Sequence, residues 1–529
     1  VTLPASARLS IAAVLSAVLV TLALPDFGWW PLAFVAWTPL LRVLPDARPR
    51  DAFLASWATG TLAHLGIFPW IVHTAVTMSD FPMPAAIAVL AVFAVAHGVA
   101  WGVVGWFVRV AAGAGSAGFV ATAAVAVAAG EHLAPQLFPW HLGSVFWRTP
   151  VLLQGVDVTG MAGATFVAVA FGAALAVALR DRATIGRVRA AGPLLAVALL
   201  AAWIGYGLVR LPQVRQAVRE APTVRLALVQ PDITALEKRT RDHAFRVSLV
   251  DRLFEVTRAA DLAGVEAVIW PEGSFPYAFV PAPDASVRER ARPVAGLSRS
   301  VLERVRELGL PVILGSVTRD ERDRGHNSAV LIGPEGAVRM RYDKRRLLAF
   351  GEYMPLSDRF PSLKGRVRGV GDLTPGERPV EFPIGDARAA ASICYEAIQS
   401  AFTRDAVVGT GADLIVNLTN DGWFGDYGAP AQHLMIQVPR AVELRMPLVR
   451  VTQTGITAVV TAAGDFLAET ALHERRTLVV DVPRMAASGP YARIGPVFAW
   501  ACVGGVALAA AAAWRRHRIG KKSRSTTTG

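Results

Sequence analysis

Apolar residues along this chain follow two different patterns. Long, nearly unbroken apolar runs occupy residues 8–25, 29–45, 52–76, 83–110, 115–134, 158–180 and 191–210, and an eighth lies at 490–514. A helix needs about 20 mostly apolar residues to cross a bilayer core, so each run predicts one membrane span. The first run does not read as a cleavable leader: LALPDFGWWPLAF has no small-x-small site, and another apolar run follows at once.

Between these blocks the runs shorten. TVRLALVQ, EAVIWPEG, LPVILGSVT, NSAVLIG, RMRYD, ARAAASICYE, ADLIVNLTND, MPLVRVTQTG and ITAVVTAAGDFLAE are brief apolar or β-branched stretches closed by turn-forming or polar residues, and they predict strands. Residues 240–263, SRSVLERVRELG and the stretch through QVPRAVELR carry helical spacing. NSAVLIGPEGAV with RMRYDKRRL predicts a hairpin turning at PEG. Strands alternating with helices, with paired strands among them, predict a mixed α/β layered domain. The expected organisation is therefore a block of about seven membrane helices over 1–214, an α/β domain over 215–487, a final membrane helix over 488–514 and a basic tail over 515–529.

Composition and charge sharpen this picture. Of 529 residues, 53% are hydrophobic and only 18% charged, which is a membrane protein's balance. A net charge of +13 would suit nucleic acid, but the basic residues flank the apolar runs instead. Arg48, Arg50, Arg109, Arg180, Arg182, Arg187, Arg189 and the tail RRHRIGKKSR occupy one set of loops, whereas the alternate loops hold only Arg148. By the positive-inside rule both termini are cytoplasmic, and seven crossings deliver residues 215–485 to the outer face, the periplasm of a bacterium with two membranes. No nucleic-acid partner is expected. Trp29, Trp30, Trp140 and Trp147 suit anchoring at headgroup level. Glu131 is either a functional carboxylate beside a span or an interfacial residue.

The candidate chemistry sits at strand ends. Two cysteines exclude a disulfide scaffold, and no C-x-x-C, H-E-x-x-H, Walker or dinucleotide pattern appears. VIWPEG ends in Glu272, YDKRRLLAFGEYMP carries Lys344 and Glu352, and SICYE carries Cys394, Tyr395 and Glu396. In layered α/β folds, strand ends are where side chains distant in sequence converge. Free cysteine is among the most buried residue types, so Cys394 is either core filler or a nucleophile. A thiol needs a base beside it to attack; a glutamate can take its proton, and an ammonium can stabilise the developing oxyanion. Taken alone, these residues leave both readings open. His326 and His433 are not coupled to Cys394 by spacing and read as structural or as substrate contacts. Asn327 either holds a turn or serves the site, Trp423 and Phe424 line an entrance or pack a loop, and Cys502 faces lipid or a helix.

Glu in WPEG, Lys in YDK ahead of FGEYMP, and Cys in CYE, in this order, resemble the nitrilase superfamily, whose fold is a four-layer αββα sandwich. NDGWFGDYGAPAQHL at 420–434, DFGWWPLAFVAWTPLL near the start, FPWHLG at 138–143 and the flanking spans narrow the resemblance to the apolipoprotein N-acyltransferase family, over nearly the whole chain. The resemblance implies Cys394 as the nucleophile that carries the acyl group as a thioester, Glu272 as general base and Lys344 as oxyanion support. It implies supporting roles for Glu352, Tyr395 and Glu396; their alternatives are buried ion-pair partners for the glutamates and packing for the tyrosine. Two departures stand out. Family members often carry a tryptophan where this chain reads ITALEKRT, and N-N-G or N-T-G where it reads Gln453-Thr454-Gly455; neither is expected to touch the catalytic trio.

The resemblance further implies a membrane phospholipid, phosphatidylethanolamine, as acyl donor and a diacylated apolipoprotein as acceptor. It implies no metal or other cofactor. Nothing in the sequence demands more than a monomer, and the loop charges set the expected location as the bacterial inner membrane with the catalytic domain on the periplasmic side. Two other readings stay open: a membrane-tethered amidase in which water resolves the thioester, and a polytopic binding protein without chemistry.

Overall fold

The computed structural model describes residues 3–112, 115–180, 187–240, 242–280, 292–363, 365, 367 and 370–525. These residues fall into two compact units, drawn from Val1–Val72, Pro84–Pro212 and Ile494–Gly529, and from His73–Met83 and Gln213–Arg493. Arg182 of the basic loop and residues 526–529 of the tail lie outside the described residues.

The first unit is helical. Among the described residues, Ala5–Ala23, Met83–Ala111, Ser116–Leu133, Met161–Arg180, Ala190–Glu220 and Val497–Arg518 are long and apolar enough to cross a bilayer, the fifth ending in residues of the second unit; the bent pair Pro49–Ile67 and Trp70–Ser79, whose second helix lies mostly in the second unit, makes seven if counted as one span. About eight were expected. The run at 29–45 is not one helix but three short pieces, Trp30–Phe34, Thr38–Val43 and Leu44–Asp46. Pro31, Pro39 and Pro45 each remove a backbone donor, which confines them to the first turn of each piece. Pro69 likewise interrupts the run at 52–76. Small residues let helices of this unit approach closely: a Cβ on Gly105 would overlap Ser56 Oγ of the neighbouring helix. Large apolar side chains such as Val92, Leu194, Val209 and Leu508 are exposed, as a lipid-facing surface requires. Glu131 accepts from Thr165 Oγ1 at 2.7 Å, His141 Nδ1 at 3.0 Å and Leu142 N at 2.9 Å, so its carboxylate is committed to holding the loop after its helix. Cys502 packs against Ala128 and Ala129, the helix-facing alternative.

The second unit is built on two six-stranded sheets. The first contains β1 (Thr223–Gln230), β2 (Ala267–Ile269), β3 (Val312–Arg319), β4 (Gly325–Ile332), β5 (Val338–Asp343) and β12 (Arg476–Pro483), in the order β12-β1-β2-β3-β4-β5. The second contains β6 (Glu381–Ile384), β7 (Ala387–Ile393), β8 (Leu414–Thr419), β9 (Leu448–Thr452), β10 (Ala458–Val460) and β11 (Phe466–Glu469), in the order β11-β10-β9-β8-β7-β6. In each sheet three parallel strands are flanked by antiparallel ones.

Side chains alternate across each strand, and the layers follow from that alternation. Val224, Leu226 and Leu228 of β1 enter a core shared with Ile393, Val416, Leu418 and Val449 of the second sheet. Ala227 and Val229 face the other way, onto Leu249, Leu253 and Phe254 of the helix His243–Arg258 and Val301 and Val305 of the helix Arg292–Leu308. The helices Ser400–Thr410 and Ala429–Leu444 cover the outer face of the second sheet. The result is a layered α/β domain, as the pattern predicted, with the αββα order that the resemblance implied and the expected hairpin formed by β4 and β5. Glu272 follows β2, Lys344 follows β5 and Cys394 follows β7.

Candidate active site

Glu272 is placed by a pinned strand end. Trp270 is fully buried, and its indole N–H donates to Thr257 Oγ1 at 3.1 Å. Gly315 of β3 lies directly beneath: a Cβ there would come within 2.6 Å of the Glu272 Cα. The Glu272 carbonyl accepts from Gln453 Nε2 at 3.0 Å and from Lys238 Nζ at 3.4 Å. Its carboxylate Oε1 accepts from Asn327 Nδ2 at 2.7 Å and lies 3.5 Å from Lys344 Nζ. Oε2 is buried and has no hydrogen-bond partner among the described residues. Buried polar atoms are normally paired, so this oxygen stands out as the one available to a proton.

Lys344 is buried with two carboxylates. Its Nζ is 2.9 Å from Glu352 Oε2, which also accepts from Leu348 N at 2.7 Å. Asn327 closes the group by donating to Glu352 Oε1 at 2.6 Å as well as to Glu272. Burial opposes the charge on Lys344, but Glu352 and Glu272 outweigh it and hold the ammonium well above its ordinary range. Burial pushes the Glu272 carboxyl up; Lys344 opposes that rise and Glu352 adds to it. Burial also pushes Lys238 down to about 7, with Glu272 and Glu237 pulling the other way.

Cys394 opens the short 3₁₀ turn Cys394–Ile398 with φ +49°, a left-handed conformation that costs a non-glycine residue about 1–3 kcal/mol. Its thiol is raised well above its ordinary range by burial and by Glu272, with Lys344 opposing and Asp421 adding to the rise. That direction favours the thiol over the thiolate, so a base beside it would be needed for attack by this sulfur. Glu396, fully buried, stabilises the strained turn: it accepts from Ile393 N at 2.8 Å, Arg345 N at 2.7 Å, Arg346 N at 3.0 Å and Tyr342 Oη at 2.8 Å. It ties the turn at Cys394 to the chain just beyond Lys344, and it does so by hydrogen bonds rather than an ion pair. Tyr395 is half-buried, its phenol pushed up by burial and by Tyr353.

Glu272, Lys344 and Glu352 are thus in direct contact, Cys394 shares their electrostatics, and Tyr395 and Glu396 flank it. Asn327 had been left between a turn and the site; it bridges both site carboxylates. Both departures touch the trio, contrary to expectation: the Gln453 amide and Lys238 Nζ of ITALEKRT each donate to the Glu272 carbonyl. The sequence signal for a bridging donor was indirect: two buried carboxylates and one lysine leave lone pairs that something must satisfy.

A second polar group lies behind Cys394. Asn417 of β8 donates to Ser392 Oγ at 3.1 Å and to the Cys394 carbonyl at 3.4 Å. Asn417 Oδ1 accepts from Thr419 Oγ1 at 2.6 Å and Gln437 Nε2 at 3.2 Å. Gln437 Nε2 also reaches His433 Nε2 at 3.0 Å, and His433 Nδ1 meets Asp421 Oδ1 at 2.8 Å. Arg450 pairs with Asp421 Oδ2. Burial and Arg450 push His433 down, against Asp421. Phe424 is buried beside His433, whereas Trp423 is exposed and its carbonyl accepts from Thr74 Oγ1 at 3.0 Å. His326 Nε2 lies 3.4 Å from Asp320 Oδ2.

Comparison with known proteins finds two family models along the chain. Residues 225–489 match the carbon-nitrogen hydrolase family model, and residues 16–174 match that of the apolipoprotein N-acyltransferase N-terminal domain. The chain is 34% identical over 518 residues to an apolipoprotein N-acyltransferase of Geobacter metallireducens, covering 96% of this chain and 95% of that one. It is 30% identical over 491 residues to an apolipoprotein N-acyltransferase of Bdellovibrio bacteriovorus, covering 87% and 86%. Among solved structures it is similar to an amidase from Nesterenkonia sp., at 23% identity and a TM-score of 0.36, covering 50% of this chain and 92% of that one. With two family models in register and a third of its residues shared end to end with such relatives, this chain belongs to the apolipoprotein N-acyltransferase family.

Proposed function

We propose that this protein transfers an acyl chain from a membrane phospholipid to the N-terminal α-amine of the diacylglyceryl-cysteine of an apolipoprotein, through a thioester on Cys394. The observation that supports this most strongly is the grouping of a buried thiol, a carboxylate with an unpaired oxygen and an ammonium at three strand ends, in a chain of this family.

The reaction runs as two displacements. Glu272 takes the Cys394 proton as the sulfur attacks the ester carbonyl, and the Lys344 ammonium meets the oxyanion. Collapse breaks the carbon–oxygen bond, and Glu272 returns the proton to the departing lysophospholipid oxygen. In the second half the α-amine attacks the thioester, Glu272 accepts a proton from the nitrogen, and the sulfur leaves and is reprotonated by Glu272. A thiol suits both halves because its anion attacks an ester readily and leaves readily from a thioester. Glu352 and Asn327 hold Lys344 and Glu272 in register, and Glu396 and Tyr395 shape the turn that carries the nucleophile.

The wider setting of the proposal is a monomer in the bacterial inner membrane, using phosphatidylethanolamine as donor. With the broken run at 29–45 counted as a crossing, its termini and the basic tail 515–529 are cytoplasmic, and a membrane block over 1–214 and a helix over 488–514 flank a periplasmic catalytic domain over 215–487. Mass spectrometry after incubation with phosphatidylethanolamine and no acceptor tests the chemistry. One acyl group on Cys394, labile to hydroxylamine and discharged by a diacylated lipopeptide, is expected. Discharge by water at the same rate as by lipopeptide would favour hydrolysis. Cys394→Ser protein that restores a depleted strain as well as wild type would overturn the proposal.

A further inference from the structure

The polar group behind Cys394 has a fixed direction throughout. Arg450 can only donate, so Asp421 Oδ2 accepts from it. Asp421 Oδ1 is also an acceptor, so His433 Nδ1 carries the ring proton toward it. In the neutral ring Nε2 is then a bare acceptor, and it takes one amide proton of Gln437. The other amide proton of Gln437 goes to Asn417 Oδ1, which leaves the Asn417 amide nitrogen facing Ser392 Oγ and the Cys394 carbonyl. Asp421, His433, Gln437, Asn417 and Arg450 are all at least nine-tenths buried, so water cannot replace a lost partner. None of them lies within hydrogen-bond distance of Glu272 or Lys344.

We infer that Asp421, His433, Gln437 and Asn417 form a relay of hydrogen-bond polarity that anchors the Cys394 carbonyl in its left-handed turn. Asp421 and His433 are then positioning residues for the nucleophile, an assignment that rests on reading Cys394 as that nucleophile. The argument turns on one atom. In Asp421→Asn the new amide must keep its oxygen toward the Arg450 guanidinium, so its nitrogen faces His433 Nδ1. The histidine proton moves to Nε2, where it meets the Gln437 amide. Gln437 must rotate, its oxygen then faces Asn417 Oδ1, and Asn417 in turn presents its oxygen to the Cys394 carbonyl. A substitution that changes no shape thus turns an attraction at the nucleophile into a repulsion.

The test measures the single-turnover rate of thioester formation and, separately, alkylation of Cys394 by iodoacetamide. Asp421→Asn should slow both by about ten- to hundredfold while KM for phospholipid changes little. Asp421→Asn with Arg450→Met frees the new amide to offer its oxygen to His433 and should recover most of the loss. Wild-type rates in Asp421→Asn, or a folded double variant no faster than the single one, would overturn the relay. If Asp421→Asn does not fold, solid-state NMR of ¹⁵N-histidine-labelled wild type decides, with His433 assigned by its loss in His433→Gln: an Nδ1-protonated neutral ring is required, and an Nε2-protonated ring overturns the assignment. Alkylation needs no acyl transfer. A relay effect on alkylation without any wild-type thioester would therefore sink the acyltransferase reading alone.

Discussion

The amide nitrogen of Asn327 lies 2.7 Å from Glu272 Oε1 and 2.6 Å from Glu352 Oε1, so one side chain donates to both carboxylates around Lys344. Its bond to Glu272 favours the charged form of that carboxyl, the base of the proposed reaction. Asn327→Ala should therefore move the acid limb of the acylation rate to higher pH and slow the plateau rate about tenfold, because charge-assisted bonds of this kind are worth about 1.5–3 kcal/mol. A pH profile of single-turnover thioester formation reads both effects.

Glu352→Gln should shift that limb the other way. Glu352 adds to the upward push on Glu272, so neutralising it lets Glu272 ionise at lower pH. The same change removes a 2.9 Å partner from Lys344, which should weaken oxyanion support and lower the plateau. An acid limb that stays put in Glu352→Gln would argue against coupling between the two carboxylates.

Gly315→Ala tests how tightly the base is seated. The added methyl would lie 2.6 Å from both the Glu272 Cα and the Pro271 carbonyl oxygen, and backbone cannot yield as a side-chain tip can. The variant should fold with a stability loss of about 1–3 kcal/mol and lose most of its acylation activity. Activity within twofold of wild type would mean that Glu272 tolerates displacement.

Glu396→Gln should destabilise the catalytic unit. The carboxylate accepts from three backbone N–H groups and Tyr342 Oη, and an amide must turn its nitrogen toward one side of that set. A buried donor facing donors costs about 1–3 kcal/mol. Thermal unfolding should show a lower midpoint than wild type.

His473 joins Asp232 Oδ1 at 3.0 Å on Nδ1 and Asp426 Oδ1 at 2.7 Å on Nε2. Carboxylates on both ring nitrogens require both to be protonated, and Asp426, against partial burial and with help from Asp232, raises the ring above its ordinary 6.5. A raised value in the folded state means that this clamp contributes fully below pH 6.5 and is lost as pH rises through the folded value. Proteolytic nicking between Asp421 and Gly428 should thus grow with pH above that window in wild type. His473→Gln should be nicked equally across it.

The α/β layers were legible because strands buried on both faces leave short, nearly unbroken apolar runs closed by polar or turn-forming residues, as in β1, β7 and β8. The broken run at 29–45 was less legible, since hydropathy counts apolar residues and is blind to the donors that Pro31, Pro39 and Pro45 remove. Glu272, Lys344 and Cys394 could be picked out because each directly follows a strand, a position visible in local pattern.

Their partners could not be read the same way. Asn327 lies inside β4, which reads as one more apolar run buried on both faces, Gln453 contacts a residue 181 positions away, and Asp421 acts on Cys394 through residues of β8 and the helix Ala429–Leu444. Chain pattern by itself determined the strands, the helices and the strand-end residues, because those obey local periodicity and turn chemistry. Only tertiary structure decided which lone pair meets which proton, because hydrogen bonds between stacked sheets depend on distance and direction in space, and neither leaves a period along the chain.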